Sequence, residues 1–231
     1  MNRIVIAIDG HSSTGKSTVA KKLAKELEYK FVDTGAMYRT VTLYAMRNGW
    51  LNQGEIDENM LIESLSLIEI NFEFNSETET NDVILNGENV EKAIRTMEVS
   101  ENVSAVAKID EVRQKLVQIQ KQLGEEKGIV MDGRDIGSVV FPNAELKIFM
   151  TAGADIRAKR RYKELKEKGE DPTFEEVLKN VKHRDHIDSN RKNSLLIQAE
   201  DAIKIDNSDL TQEEQFNKIL HLAKEKINET A

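Results

Sequence analysis

The chain has no cysteine in its 231 residues. Disulfides, cysteine nucleophiles and thiolate metal sites are therefore excluded, and a reducing compartment suits it. A basic excess is missing too: 33 Lys and Arg face 41 Asp and Glu, a formal charge of −8. That argues against a general binder of nucleic acid or anionic membrane, whose surface would carry the opposite sign. Long apolar runs are absent. Ile4 to Ile8 is a short one ended by Asp9, too short for a signal-peptide core, and nothing approaches the ~20 residues of a membrane span. No repeat period or low-complexity stretch is visible. The expectation is a cytoplasmic monomer that acts on small molecules, not on nucleic acid or membranes.

What is present fits a soluble globular protein: 39% hydrophobic and 32% charged residues, and length for one α/β domain with one or two small insertions. An acidic protein that must hold phosphates has to concentrate its positive charge locally, so places where arginine clusters are informative.

Arg3 to Asp9 reads as a buried strand, followed by glycine-rich Gly10 to Gly15. From Lys16, Val19, Ala20, Leu23, Ala24 and Leu27 recur at helical spacing. Tyr29 to Val32 predicts a second strand, and Met37 to Asn48 a helix stopped by Gly49. The middle changes character: Ile70, Phe72 and Phe74, then Val83 and Leu85, alternate with polar residues and lead into an Asn86-Gly87 turn and Val90. That is antiparallel hairpin patterning. Val112, Leu116, Ile119 and Leu123 mark a helix closed by Gly124. Ile129 to Asp132, Leu146 to Met150 and Ala202 to Asp206 predict three more buried strands, and Thr173 with Glu176 and Thr211 with Glu214 predict capping boxes. Strands alternating with helices imply an α/β fold with a parallel sheet, ligands sitting beyond the carboxyl ends of its strands.

Gly10-His11-Ser12-Ser13-Thr14-Gly15-Lys16-Ser17-Thr18 fits the Walker A pattern at every fixed position. Glycines let the backbone curl around phosphates so that successive N–H groups point inward, and the helix N-terminus adds partial positive charge. Lys16 would reach the β- and γ-phosphates of ATP, and the Ser17 hydroxyl would ligate Mg²⁺. A chance match in a Gly/Ser turn would lack the flanking strand and helix. Asp132, at the end of a core strand, is placed as a Walker B acid for the metal; otherwise it is an ordinary turn residue.

Three further segments put charge where a phosphate acceptor would need it: Asp33 to Arg39, Asp132 to Asp135, and Arg184, Asp188 and Arg191 at spacings of four and three. Each alone could be a solvated face or a structural ion pair. With them, the chain resembles the bacterial cytidylate kinases almost end to end: IDG-x-x-x-x-GKST, DTGAMYR, IRT-x-EV at Ile94 to Val99, DGRDIG-x-VVFP at Asp132 to Pro142, and RD-x-x-D-x-NR at Arg184 to Arg191, in that order. The resemblance implies a nucleoside monophosphate kinase fold with a five-stranded parallel sheet, a monophosphate-binding lobe carrying a small antiparallel sheet, and a helical lid. It implies transfer of phosphate from ATP to CMP, and to dCMP, with Mg²⁺. The corresponding partition is 1–40 core, 41–96 insert, 97–153 core, 154–170 lid and 171–231 core.

The same resemblance implies Thr34 and Arg39 at the acceptor phosphate, Ser104, Arg113 and Asp135 at the cytosine ring, and Arg184 and Asp188 at the acceptor's sugar and phosphate. Arg134 and Arg191 would face phosphate. Arg157, Arg160 and Arg161 lie on a basic stretch interleaved with Glu164, Glu167 and Glu170. This is a salt-bridged surface helix or, as the resemblance implies, a lid that delivers arginine to the transferring phosphoryl group. Asp206-Asn207-Ser208 is a candidate for the adenine side. His183-Arg184-Asp185 with Asn190 fits a protein-kinase catalytic loop, but no DFG follows it. His183 and His186 lack a third metal ligand and read as a solvated helix face. A P-loop kinase for another acceptor, and a nucleotide-dependent switch without an acceptor, stay open as alternatives.

Overall fold

The run Val5–Gly10 forms β1, buried along its whole length, and it is the axis of the computed structural model, which describes residues 2–52, 54–76, 80–167, 169–190 and 195–230. β1 lies between two parallel strands, β8 (Ile129–Gly133) and β9 (Leu146–Thr151), with Ile8 opposite Asp132 on one side and Ile148 on the other. β10 (Ile203–Asp206) pairs with β9, Ile205 opposite Met150. With β2 (Lys30–Asp33) the sheet has five strands, parallel throughout, in the order β10-β9-β1-β8-β2. β1, β8 and β9 are buried without alternation because both faces of a parallel sheet are covered.

Two compact units divide the chain: Met1–Lys30 with Glu126–Ala231, and Phe31–Glu125. In the first, α1 (Lys16–Leu27) packs on β8 and against α8 (Gln212–Glu229), while α6 (Ala154–Glu167) and α7 (Phe174–Asn190) pack on each other. Both capping boxes form: Thr173 N and Oγ1 donate to Glu176 at 2.8 and 2.9 Å, and Thr211 and Glu214 cap each other at the start of α8. No described helix is long and apolar enough to cross a membrane.

The second unit holds α2 (Thr34–Arg47), the short pair β3 (Leu51–Asn52) and β4 (Glu55–Ile56), α3 (Glu58–Ser64), and the three-stranded sheet of β5 (Ile70–Asn75), β6 (Thr80–Leu85) and β7 (Glu88–Asn89). Helices α4 (Met97–Val106) and α5 (Asp110–Leu123) complete it. Ile70 pairs with Leu85 and Phe72 with Val83, the antiparallel register that the alternation predicts. Asn86 and Gly87 both take positive φ (49° and 84°) in the turn between β6 and β7. The unit is wider than residues 41–96 because α2, which begins ahead of that segment and runs into it, packs on α4 and α5 behind it. One stop signal works differently from its reading: α5 ends at Leu123, yet Gly124 has φ −94°, so no left-handed cap closes it.

Gly10 is the most crowded of the described glycines. Its φ is +144°, and a Cβ there would stand 2.0 Å from the Met150 carbonyl oxygen, a backbone atom that cannot swing aside. Gly10→Ala should therefore destabilise the chain by at least about 3 kcal/mol in thermal or denaturant unfolding. Gly87→Ala, with positive φ but open space around it, should cost only about 1–2 kcal/mol. Equal losses for the two would mean that crowding against Met150 does not matter.

Candidate active site

The phosphate loop is a curl of backbone held open by its own side chains. Ser13 and Gly15 take positive φ (60° and 86°), reversing the chain between β1 and α1. Thr14, fully buried, donates its hydroxyl to the His11 carbonyl at 2.9 Å, so this side chain, and not only the backbone, shapes the loop. α1 begins at Lys16 with no side-chain cap and no acid in its first turn. Its leading N–H groups and positive dipole end are thus left for an anion from outside the chain. Lys16 folds back onto the loop: Nζ donates to the His11 carbonyl at 2.7 Å, and the residue is only 5% exposed. Burial pushes its pKa down to about 7. Arg134 pushes the same way, and Asp132, Asp9 and Asp188 pull it back.

Asp132 stands on β8 beside Ile8 of β1 and accepts the Ser17 hydroxyl at 2.8 Å. Two hard oxygen donors side by side at the phosphate loop fit Mg²⁺, which takes one or two protein oxygens and fills the rest of its octahedron with water and phosphate. No cluster of three or more His, Cys, Asp or Glu suited to a metal exists among the described residues. The segment after Asp132 is pinned by a residue the sequence reading did not single out. Asp9 accepts the amides of Ile136 and Gly137 at 2.8 and 2.7 Å, at the start of the helical turn Ile136–Val140. Burial pushes Asp9 up to about 6 although both amides favour its charge. The turn sets Arg134 and Asp135 at the carboxyl end of β8; Arg134 Nε donates to Asp188 Oδ2 at 2.7 Å, and Asp135 is 5% exposed.

The three arginines of α6 go three ways. Arg157 is buried and forked onto Asp185 of α7, Nη1 and Nη2 reaching its two oxygens at 2.8 and 2.6 Å. Its Nε donates to Ala152 O at 2.9 Å, and Nη1 lies 3.4 Å from the loop carbonyl of Ser12. Arg160 is fixed to Asn207, just beyond β10, through Oδ1 at 3.1 Å and the backbone oxygen at 2.8 Å. Arg161 pairs with Glu164 along the helix at 2.9 Å. Arg184 lies one turn before Asp188 on α7. Arg191 lies outside the described residues. Lys16, Ser17, Asp132, Arg134, Arg157 and Asp188 thus gather at one end of the sheet, and Arg161 does not join them.

The second unit carries its own cationic cluster at the N-terminus of α2. Asp33 caps the helix by accepting Ala36 N at 3.0 Å, and its other oxygen takes Arg39 Nη2 at 2.9 Å and Arg95 Nη1 at 2.7 Å. Burial would raise this carboxyl, but the charges of Arg39 and Arg95 outweigh it and hold it far below the ordinary carboxylate range. A Cβ on Gly35 would come within 3.0 Å of Asp33 Oδ1 and 3.1 Å of Arg39 Nη1, so the missing side chain makes room for the guanidinium over the first turn. Thr34, 4% exposed, opens the helix. Arg113 of α5 is buried, with Nη1 3.3 Å from Ala107 O and its guanidinium 5.4 Å from the centre of the Tyr38 ring. Ser104 is half-buried on α4.

Reading the sequence missed Asp9, Arg95 and Asp185 as members of these clusters. Arg95 stood inside the IRT-x-EV segment and Asp185 inside the HRD triplet, but nothing local marks which arginine meets which acid.

A glycine-rich curl between a buried parallel strand and a helix, a lysine inside it and a carboxylate on the neighbouring strand make this a P-loop kinase fold. The chain belongs to the cytidylate kinase family, whose model matches residues 6–225. The cytidylate kinase of Flavobacterium johnsoniae is 58% identical over 98% of this chain and 99% of its own length. That of Parabacteroides distasonis is 58% identical and that of Bacteroides thetaiotaomicron 55%, each alignment covering 93% of this chain and 94% of the relative.

The Arg157–Asp185 pair yields a stability test. Removing one partner of a buried fork leaves an unpaired charge, so Asp185→Ala should cost about 3–5 kcal/mol in urea unfolding, while an Arg157→Met/Asp185→Leu double variant should recover most of it. If the double variant is no more stable than the single one, the fork is not what holds α6 to α7.

Proposed function

We propose that the chain transfers the terminal phosphoryl group of ATP to CMP, and to dCMP, giving CDP or dCDP and ADP. The observation that carries a kinase over a nucleotide switch is the presence of two separate cationic sets. One is Lys16 with Arg134 at the phosphate loop, and the other is Arg39 with Arg95 at the start of α2. A switch that only hydrolyses has no use for the second. Family membership supports CMP as the acceptor. The formal charge of −8 supports a small-nucleotide substrate over nucleic acid, and we take the working unit to be a cytoplasmic monomer.

The acceptor phosphate, with a second pKa near ~6, is largely a dianion at neutral pH, so it attacks without a general base. A bond forms between its oxygen and the γ-phosphorus as the bond from that phosphorus to the β,γ-bridging oxygen breaks, and ADP leaves. The residues' task is positioning and charge compensation. The loop amides and Lys16 hold the donor phosphates, Arg134 with Arg157 and Arg160 of α6 serves the transferring group, and Thr34 and Arg39 hold the acceptor phosphate. Arg184 and Asp188 are assigned to the acceptor's sugar and phosphate, and Arg191, with Arg134, to phosphate. Ser17 and Asp132 would hold Mg²⁺, which offsets charge on the β- and γ-oxygens. We assign residues 154–170 as the lid that keeps water from the donor.

Lys16 supplies a pH test. In the ligand-free loop its pKa is lowered to about 7, whereas phosphates favour the ammonium form. Above pH 7 the free loop must take up a proton to bind ATP, so affinity should fall as pH rises, by up to ~10-fold per unit. Calorimetry at pH 8.5 in buffers of different ionisation enthalpy should show close to one proton taken up per ATP, and none in Lys16→Met. Zero uptake in the parent chain would mean Lys16 is already charged when the loop is empty.

Base choice supplies the other. Cytosine offers an N4 amino donor beside the N3 acceptor, and uracil reverses both. An ionised carboxylate only accepts and a guanidinium only donates, so Asp135 toward N4 and Arg113 toward N3, with Ser104 at the ring, suit cytosine and oppose uracil twice. Such sites discriminate by up to ~10⁴-fold. Asp135→Ala should lower kcat/KM for CMP steeply while that for UMP falls little or rises. An equal loss on both substrates would make Asp135 a structural residue.

A further inference from the structure

Asn207 is fully buried, and every polar atom it has is used. Its backbone N–H donates to Thr151 O at the end of β9, at 2.9 Å. Its side-chain amide donates to the Thr14 carbonyl of the phosphate loop at 2.7 Å and to Gln215 Oε1 of α8 at 2.5 Å. Its side-chain and backbone oxygens both accept from Arg160 of α6, at 3.1 and 2.8 Å. The orientation of the amide follows from its partners: a carbonyl can only accept and a guanidinium can only donate, so nitrogen must face Thr14 and oxygen must face Arg160.

We propose that Asn207 is a positioning residue for phosphoryl transfer, tying the phosphate-loop turn and the α6 arginine into one hydrogen-bonded unit. The peptide joining Thr14 to Gly15 is planar and trans, so its C=O and N–H point in opposite directions. By holding the Thr14 oxygen, Asn207 aims the Gly15 N–H away from itself, fixing one of the loop's phosphate donors before any ligand arrives. Through its own oxygens it also sets where the Arg160 guanidinium sits relative to that donor. Gln215 consumes the second amide hydrogen and keeps the side chain from turning. The sequence suggested an adenine contact for this segment; the bonds instead give Asn207 to the phosphate end. The inference rests on the kinase reading above.

Two substitutions separate the arms. Asn207→Asp is nearly isosteric and still accepts from Arg160, but it cannot donate to Thr14 and sets a carboxylate against that carbonyl. It should weaken ATP binding several-fold. Asn207→Ala loses the bond to Thr14 and one of the two bonds to Arg160, leaving only the backbone oxygen for the guanidinium. It should lower kcat by ~10-fold or more, in keeping with the cost of small misplacements, with KM for CMP within about twofold. If Asn207 acts through Arg160, the two changes will not be additive: Arg160→Ala should cost much less in the Asn207→Ala background than alone. Losses that multiply to within twofold, or an unchanged kcat in well-folded Asn207→Ala, would overturn the proposal. Should Asn207→Ala fail to fold, Arg160→Lys, which keeps the charge but cannot fork across two oxygens, must show the same kcat loss with KM retained, and an unchanged kcat there counts against it. A parent chain that makes no ADP from ATP and CMP refutes the assigned reaction instead. The clamp is then judged on ATP affinity, and unaltered affinity in Asn207→Asp overturns it.

Discussion

A cation taken out of water must be given an anion, and that requirement arranges most of this molecule. A site for phosphates needs several buried positive charges, and those charges have to be tolerated when no phosphate is there. The chain answers with carboxylates. Asp188 holds Arg134, Asp185 holds Arg157, and Asp33 holds Arg39 and Arg95 together. α7 supplies two of these acids three residues apart, on one face, and so acts as a counter-ion strip. The acidic net charge belongs to the same logic: within the unit that carries the loop, Arg134, Arg157 and Arg161 each come with an acid, while Arg160 is held by Asn207.

Lys16 is the exception, and its difference is informative. It has no short ion pair of its own; its close partners are a loop carbonyl and the Thr14 hydroxyl, both neutral. Burial, with Arg134 beside it, therefore outweighs the more distant charges of Asp132, Asp9 and Asp188, and its pKa drops. Arginine would stay charged in such a place at any ordinary pH, whereas a lysine can give up its proton and recover it when phosphate supplies the missing anion. The arginines keep a fixed charge in fixed geometry, whereas the lysine's charge is able to change.

What was legible in the sequence is what is local. β1, the phosphate loop and α1 could be read because a β-branched run, a glycine pattern and a 3.6-residue period each report on neighbours in the chain, and the Asn86-Gly87 turn and both capping boxes follow from spans of two to four residues. The counter-ions could not be read. Arg157 meets Asp185 across 28 positions, Arg134 meets Asp188 across 54, and Asp33 meets Arg95 across 62. In a chain that is 32% charged, many acids compete for each base, and only the packing of α6 on α7, or the course of the chain after β8, picks the winner. Asp9 was equally hidden: it closes a β-branched run, yet its job is to hold two amides 127 and 128 positions away. The limits of the second unit escaped for a related reason, since they depend on α2, which ends at Arg47, packing against helices that begin only at Met97.

Asp33 shows how far one such acid can be committed. Its first oxygen caps α2 and its second receives two guanidinium groups, so a single carboxylate is helix cap, counter-ion and tether between α2 and the segment ahead of α4. Helix N-termini and arginines both favour anions, and Asp33 satisfies both at once. A phosphate arriving there would not find loose, solvated arginines that must be ordered at an entropic cost. It would find two guanidinium groups already held close to one another by Asp33, with Arg95 held by Glu91 as well. The order is paid for in folding and is then present at every encounter, which is why an acid at the heart of an anion site assists binding instead of opposing it.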